Sequence, residues 1–137
     1  AIDVLKTKVN NFRSNLISGD QTKIETGQSM ELSNAFQLNV FEEDDTLGNI
    51  IQTYLSNLFA NYQSENRLLN YIGYVKVHPL KRIIKITIQP IRSTMKWEEI
   101  LEHIINPGCQ HIIQILNKLQ KYLEDSPQFT AELKRIK

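Results

Sequence analysis

Residues 36–59 read FQLNVFEEDDTLGNIIQTYLSNLF, and the hydrophobic period changes inside them. Phe36, Leu38 and Val40 alternate with Gln37 and Asn39. A period of two marks a strand with one dry face and one wet face. From Leu47 the apolar residues Ile50, Ile51, Tyr54, Leu55, Leu58 and Phe59 follow in helical steps. They form a broad stripe over about three turns. Between the two patterns stand Asp44, Asp45 and Thr46, short polar residues that cap helix starts. The carboxylates also suit the positive end of a helix dipole. A strand that runs into a capped amphipathic helix places the chain in the α+β class.

The same reading extends upstream. Ile2, Leu5, Val9, Phe12 and Leu16 predict an amphipathic helix over 1–17, stopped by Ser18, Gly19 and Asp20. Residues 22–41 read as a β-hairpin, with a weak strand at 23–26 and a turn-like Glu31-Leu32-Ser33-Asn34.

Downstream, residues 60–70 form a polar connection, and Tyr71 to Val77 reads as a strand. His78-Pro79-Leu80 must turn, because proline removes a donor and restricts its predecessor. In Ile83 to Ile88, Ile84, Ile86 and Ile88 face one way and Lys85, Thr87 and Gln89 the other. The short spacing makes these two strands an antiparallel pair, and Pro90 closes the second. A short helix is expected over 96–105, with Asn106-Pro107-Gly108 breaking it. A longer helix follows at 109–124. One of its stripes holds Cys109, Ile112, Ile113, Leu116, Leu119 and Leu123; a second holds Ile115 and Tyr122. That is more apolar surface than a small lone domain readily covers.

Composition narrows the function. The 137 residues fit one domain and can bury roughly 70% of the unfolded chain's surface. A formal charge of +1 gives no basis for bulk electrostatic capture of nucleic acid or acidic membrane. The single cysteine rules out an internal disulfide and fits a reducing compartment. The longest apolar runs are far below the ~20 residues that span a bilayer, and the N-terminus has no apolar signal region. There is no GxGxxG, no GxxxxGK[ST], no CxxC and no HExxH. Neither an active site nor a cofactor is advertised.

Individual candidates read as structural. His78 sits in a turn with no nucleophile or carboxylate partner indicated, and supplies a turn hydrogen bond. His103, Cys109 and His111 form H-x5-C-x-H, which matches no common zinc pattern, so no metal is expected. Cys109 reads as a small buried helix residue. Glu42 to Asp45 lack the spacing of a calcium loop and read as a solvated helix start. The basic residues 76, 81, 82, 85 and 92 cluster around one hairpin. Without interleaved aromatics they read as a solvated strand face rather than a nucleic-acid site.

Two segments together carry a resemblance. Asp44-Asp45-Thr46-Leu47-Gly48-Asn49 follows a strand, and Gly73-Tyr74-Val75-Lys76-Val77-His78-Pro79-Leu80 precedes one. The chain resembles the small alpha-like assembly subunits of multisubunit DNA-directed RNA polymerases, whose signature runs D-H-T-L-G-N and then G-Y-x-x-x-H-P-L. The resemblance covers about residues 22–124. Asp44, Thr46, Asn49, Gly73, Tyr74, His78 and Pro79 are the matching motif positions. Asp45 stands where the family has His, and the segment 96–108 looks like an insertion before the closing helix.

The resemblance implies an α+β fold with a four-stranded antiparallel sheet packed against helices, the alpha-like dimerisation fold with an extra N-terminal helix. It implies a non-catalytic subunit that pairs with a larger alpha-like subunit, the pair forming the platform for the two large catalytic subunits. No cofactor, membrane or sequence-specific nucleic-acid contact goes with that role. The location would be intracellular: nucleus, or cytoplasm and virion for a viral enzyme. The partner interface would fall on Leu47, Gly48, Ile51, Tyr54 and Leu55 of the first core helix, and on Ile112, Ile115, Leu116, Leu119 and Tyr122 of the last. Ile51 and Leu116 also suit a core; for Leu47, Ile115 and Tyr122 the interface reading is the stronger.

Residues 1–12 are similar to the closing helix of the larger alpha-like subunit. Their spacing at Ile2, Leu5, Val9 and Phe12 repeats at Ile112, Ile115, Leu119 and Tyr122. The expected organisation is therefore an N-terminal helix and linker at 1–20, a dimerisation domain at 21–125 and a tail at 126–137, as in the C-terminal part of a fused pair of alpha-like halves. Two other readings stay open: a free-standing dimerising regulator or nucleic-acid-binding α+β domain, and a small enzyme using His78 or Cys109.

Overall fold

The alternation at 36–41 and 83–88 builds the centre of the molecule. In the computed structural model, which describes residues 2–63, 65 and 67–124, these segments are the inner strands of a four-stranded antiparallel sheet. The elements run α1 (Ile2–Ser18), β1 (Ile24–Gln28), β2 (Phe36–Phe41), α2 (Asp45–Leu55), β3 (Leu69–Lys76), β4 (Ile83–Pro90), α3 (Trp97–Ile100) and α4 (Asn106–Glu124). A π-helical turn at Ser56–Ala60 extends α2, and another at Leu101–Ile105 joins α3 to α4. The fold is α+β, with the strand order β1-β2-β4-β3.

Register puts the apolar set of each strand on one face. Leu38 lies between Thr26 and Ile86, and Val40 between Ile24 and Ile84. Ile72 stands opposite Ile88, and Tyr74 opposite Ile86. On this face Leu38, Ile84, Ile86 and Ile88 are fully buried under Leu47, Ile51 and Leu55 of α2 and Ile112 of α4, all in one hydrophobic cluster. Lys85, Thr87 and Gln89 point to the other face and stay partly accessible.

α1 belongs to the same cluster through Val9, Phe12 and Leu16. It ends as its glycine predicts. Gly19 takes φ +73°, its N–H donates to the Leu16 carbonyl at 3.3 Å, and the Asp20 N–H donates to the Asn15 carbonyl at 3.3 Å. That pair of bonds closes the helix in a Schellman turn.

Three expectations need correction. The first strand spans Ile24–Gln28, not 23–26. β3 starts at Leu69, inside the stretch read as a polar connection, because Leu69 is fully buried opposite Pro90 across an irregularity in the ladder. Asn106-Pro107-Gly108 does not break the helix, which runs on from Trp97 to Glu124. Two effects replace the break. The Asn106 N–H donates to the carbonyl of Leu101, so the turn is widened just before the proline that lacks a donor. Gly108 is a contact point: a β-carbon there would overlap the Leu55 side chain, so its absence lets α4 cross closely over α2. The tail expected at 126–137 lies outside the described residues.

Candidate partner interface

The two motif segments meet at the start of α2. Asp44 is the N-cap, with extended backbone, and its carboxylate accepts the Thr46 N–H at 3.1 Å. Burial is the largest single influence on its carboxyl and acts to raise it. The Thr46 N–H, the charges of Lys8 and Arg82 and the Thr46 side chain outweigh burial and hold the group below its ordinary value. Lys8 reaches in from α1 to pair with Glu43 at 2.9 Å. Arg82, just past the second motif, pairs with Asp44 at 3.4 Å, and its carbonyl accepts the Glu43 N–H at 3.2 Å.

One turn further on, Tyr74 of β3 fits against α2. Its ring lies over Gly48, where a β-carbon would be only 2.5 Å from the ring. Its hydroxyl donates to Asn49 Oδ1 at 3.0 Å, and its backbone N–H donates to Gln52 Oε1 at 3.3 Å. Burial, and then the negative charge of Asp45, raise its hydroxyl pKa. Gly73 points to the opposite face of the sheet, covered by the Tyr71 hydroxyl. At the turn, His78 Nδ1 accepts the Leu80 N–H at 3.1 Å, and Pro79 is exposed. Sequence reasoning missed Gln52. The available signal was its place four residues after Gly48, on the same helix face.

The residues expected at a partner interface divide sharply. Leu47, Ile51, Leu55, Ile112 and Leu116 lie in this chain's own core; Leu47, where an interface was the stronger reading, is 1% exposed. Gly48 is crowded by Tyr74 of the same chain. Tyr54 is half-buried and packs on the core edge. Ile115 and Tyr122 of the second stripe on α4, joined by Leu119 from the first, are different. Ile115 is half-buried, Leu119 is 45% exposed and Tyr122 is 70% exposed. At steps of four and three they form one outward line on the helix.

α1 accounts for part of the apolar excess of α4. The two helices run antiparallel. Lys6 Nζ donates to Asn117 Oδ1 at 3.1 Å, Gln120 Nε2 to Asp3 Oδ1 at 3.1 Å, and Arg13 Nη1 to Asn106 Oδ1 at 2.9 Å. These partners sit on the side of α4 away from Ile115 and Tyr122, so the second stripe stays open.

The other candidates are spread out. His103 is exposed, and Cys109 is buried in the core. Burial pushes the Cys109 thiol up to about 12, with Arg13 pulling weakly the other way. Among the described residues, no cluster of His, Cys, Asp and Glu is placed to hold a metal, and no helix is long and apolar enough to cross a membrane. In the basic patch, Arg82, Lys85 and Arg92 are paired with Asp44, Glu31 and Glu99.

No family model matches this sequence, and no curated protein matches it.

Proposed function

We propose that this chain is a non-catalytic assembly subunit of a DNA-directed RNA polymerase, pairing with a larger alpha-like half and helping to seat the large catalytic subunits. The observation that carries this reading is the Ile115–Leu119–Tyr122 line on α4, with Leu119 and Tyr122 exposed beside the faces that the core and α1 cover. An apolar line of this kind on a well-packed domain favours a permanent partner, in an obligate interface of ~2,000 Å² or more. The meeting of the two motif segments, Tyr74 on Gly48 and Asn49, supports the resemblance that names the partner. The antiparallel seat of α1 on α4 supports the further reading of α1 as the closing helix of a fused larger half.

The test is co-expression of the tagged chain with the alpha-like half from the same source. Wild type should capture it. Leu119→Asp combined with Tyr122→Asp should abolish capture while leaving the circular dichroism spectrum and melting midpoint unchanged, since both sites are on the surface. Full capture by the double variant would sink the interface assignment. A wild-type homodimer with no polymerase subunit bound would favour a free-standing dimeriser instead.

A further inference from the structure

We infer that residues 127–137 of this chain fold back as a short antiparallel helix onto the Ile115–Leu119–Tyr122 line of α4, and so cover in the unpaired chain the surface that the larger half takes. The cover itself stands on the sequence and on α4; its competition with the larger half rests on the polymerase reading above.

Spacing carries the inference. On α4 the open line steps by four and then three, from Ile115 to Leu119 to Tyr122. The sequence beyond Glu124 reads DSPQFTAELKRIK, and its large apolar residues Phe129, Leu133 and Ile136 step by four and then three as well. Folded back antiparallel, Phe129 meets Tyr122, Leu133 meets Leu119 and Ile136 meets Ile115. All three pairs are centred on Asp125–Ser126, so a single turn serves them. The turn has suitable residues. Ser126 precedes a proline, which disfavours helical backbone there. Serine suits an N-cap, and proline suits the first helical position. Connections of about two to five residues join antiparallel helix pairs.

Charge selects this occupant. Lys118, one position before Leu119, is exposed beside the line and has no ion pair among the described residues. Glu132 holds the same place before Leu133. In heptad terms both are g positions, which flank the seam on one side when two helices run antiparallel. The cover therefore sets Glu132 against Lys118. A second copy of α4 packed the same way would set Lys118 against its own equivalent, and like charges across a seam are unfavourable.

The contact is small, so its release is a local opening that leaves the domain folded. Tethering offsets the size, because a segment on a short connection acts at an effective concentration on the order of millimolar. The larger half must displace the segment to reach α4, and until then the apolar line is shielded from self-association.

The test uses the full chain with a nitroxide attached at Lys134→Cys, on the side of the segment turned away from the seam. Native Cys109 is buried and stays unlabelled. Amide signals around Ile115 and Leu119 should broaden several-fold. Leu133→Asp with Ile136→Asp should abolish the broadening without moving the melting midpoint. Glu132→Lys should weaken it, and Lys118→Glu in the same chain should restore it. Broadening confined to the last residues of α4 would overturn the inference. So would broadening that passes from labelled chains to isotope-enriched, unlabelled ones in a mixture, since a second copy would then be the occupant. With a limiting amount of the alpha-like half, Leu133→Asp with Ile136→Asp should capture several-fold more of it than wild type, and equal capture would overturn the competition. No capture by either chain, with the broadening intact, would overturn the polymerase reading and leave the cover standing.

Discussion

The Tyr74 ring occupies the space that a β-carbon at position 48 would need, with Cδ2 2.5 Å from that point. The ring has little room to retreat, because its hydroxyl is bonded to Asn49 and its backbone to Gln52. In a helix, alanine is favoured over glycine by about 1 kcal/mol. Here the clash opposes that preference, and overpacking of this kind costs about 1–3 kcal/mol. Gly48→Ala should therefore lower stability in urea unfolding, and Tyr74→Leu in the same chain should remove most of the loss. A more stable Gly48→Ala variant would contradict the packing described.

Leu47 and Leu119 offer a paired comparison, the same residue type in a core and on an open stripe. Leu47→Ala leaves a cavity and should cost about 2–5 kcal/mol. Leu119→Ala should cost below about 1 kcal/mol. Equilibrium denaturation of both variants checks this, and equal losses would mean that Leu119 is covered in solution.

Gln52 closes the edge of the sheet at one point. β3 is an outer strand, and its Tyr74 N–H points outward into the Gln52 side chain. Gln52→Ala should cost about 0.5–1.5 kcal/mol and speed amide exchange at Tyr74. A free edge donor also invites strand pairing between chains, so sedimentation of the variant should become concentration-dependent. Unchanged exchange at Tyr74 would show that the side chain offers no protection there.

The Asp44 carboxyl gives an acid-side signature. Its folded pKa lies below the ordinary 3.8, so the folded chain binds this proton less readily than the unfolded chain does. Its contribution is therefore complete above that ordinary value and is lost as pH falls through the folded one. Asp44→Asn keeps an N-cap acceptor but cannot titrate. The gap in urea midpoint between wild type and Asp44→Asn should shrink from pH 7 to pH 3. A constant gap would rule out this carboxylate as a source of acid sensitivity.

Cys109 should be inert while the chain is folded. With its thiol pushed up to about 12, almost no thiolate exists at pH 8, and the group is shielded by the core. A thiol reagent should label it only after denaturant is added; rapid labelling of the native chain would show that α4 opens readily.

Local pattern carried much of this architecture. Alternation at 36–41 and 83–88 was enough to assign the buried face of each inner strand, and Gly19 was enough to end α1. Asn106-Pro107-Gly108 misled because proline and glycine punctuate a chain only when nothing larger decides. Here a widened turn accommodates the first, and the crossing with Leu55 requires the second. Assigning Leu47 to a partner erred for a related reason. A broad apolar stripe states how much surface needs cover, but which part meets the sheet depends on contacts distant in sequence. Ile115 and Tyr122 were visible as a second stripe, but Leu119, read with the first stripe, joins them in the open line only once α1 and the core are in place. Gln52 carried only a faint mark, its place one turn after Gly48, since a glutamine on a helix flank is commonplace.

The seat of α1 also has a consequence for how the molecule comes to be. Lys6 and Asn117 are 111 residues apart in the chain, and α1 packs mainly on α4. On the ribosome α1 emerges before α4, so its Val9, Phe12 and Leu16 lack their main neighbour until α4 has been made. α1 is thus seated late relative to its synthesis, and that interval is when a chaperone would find it.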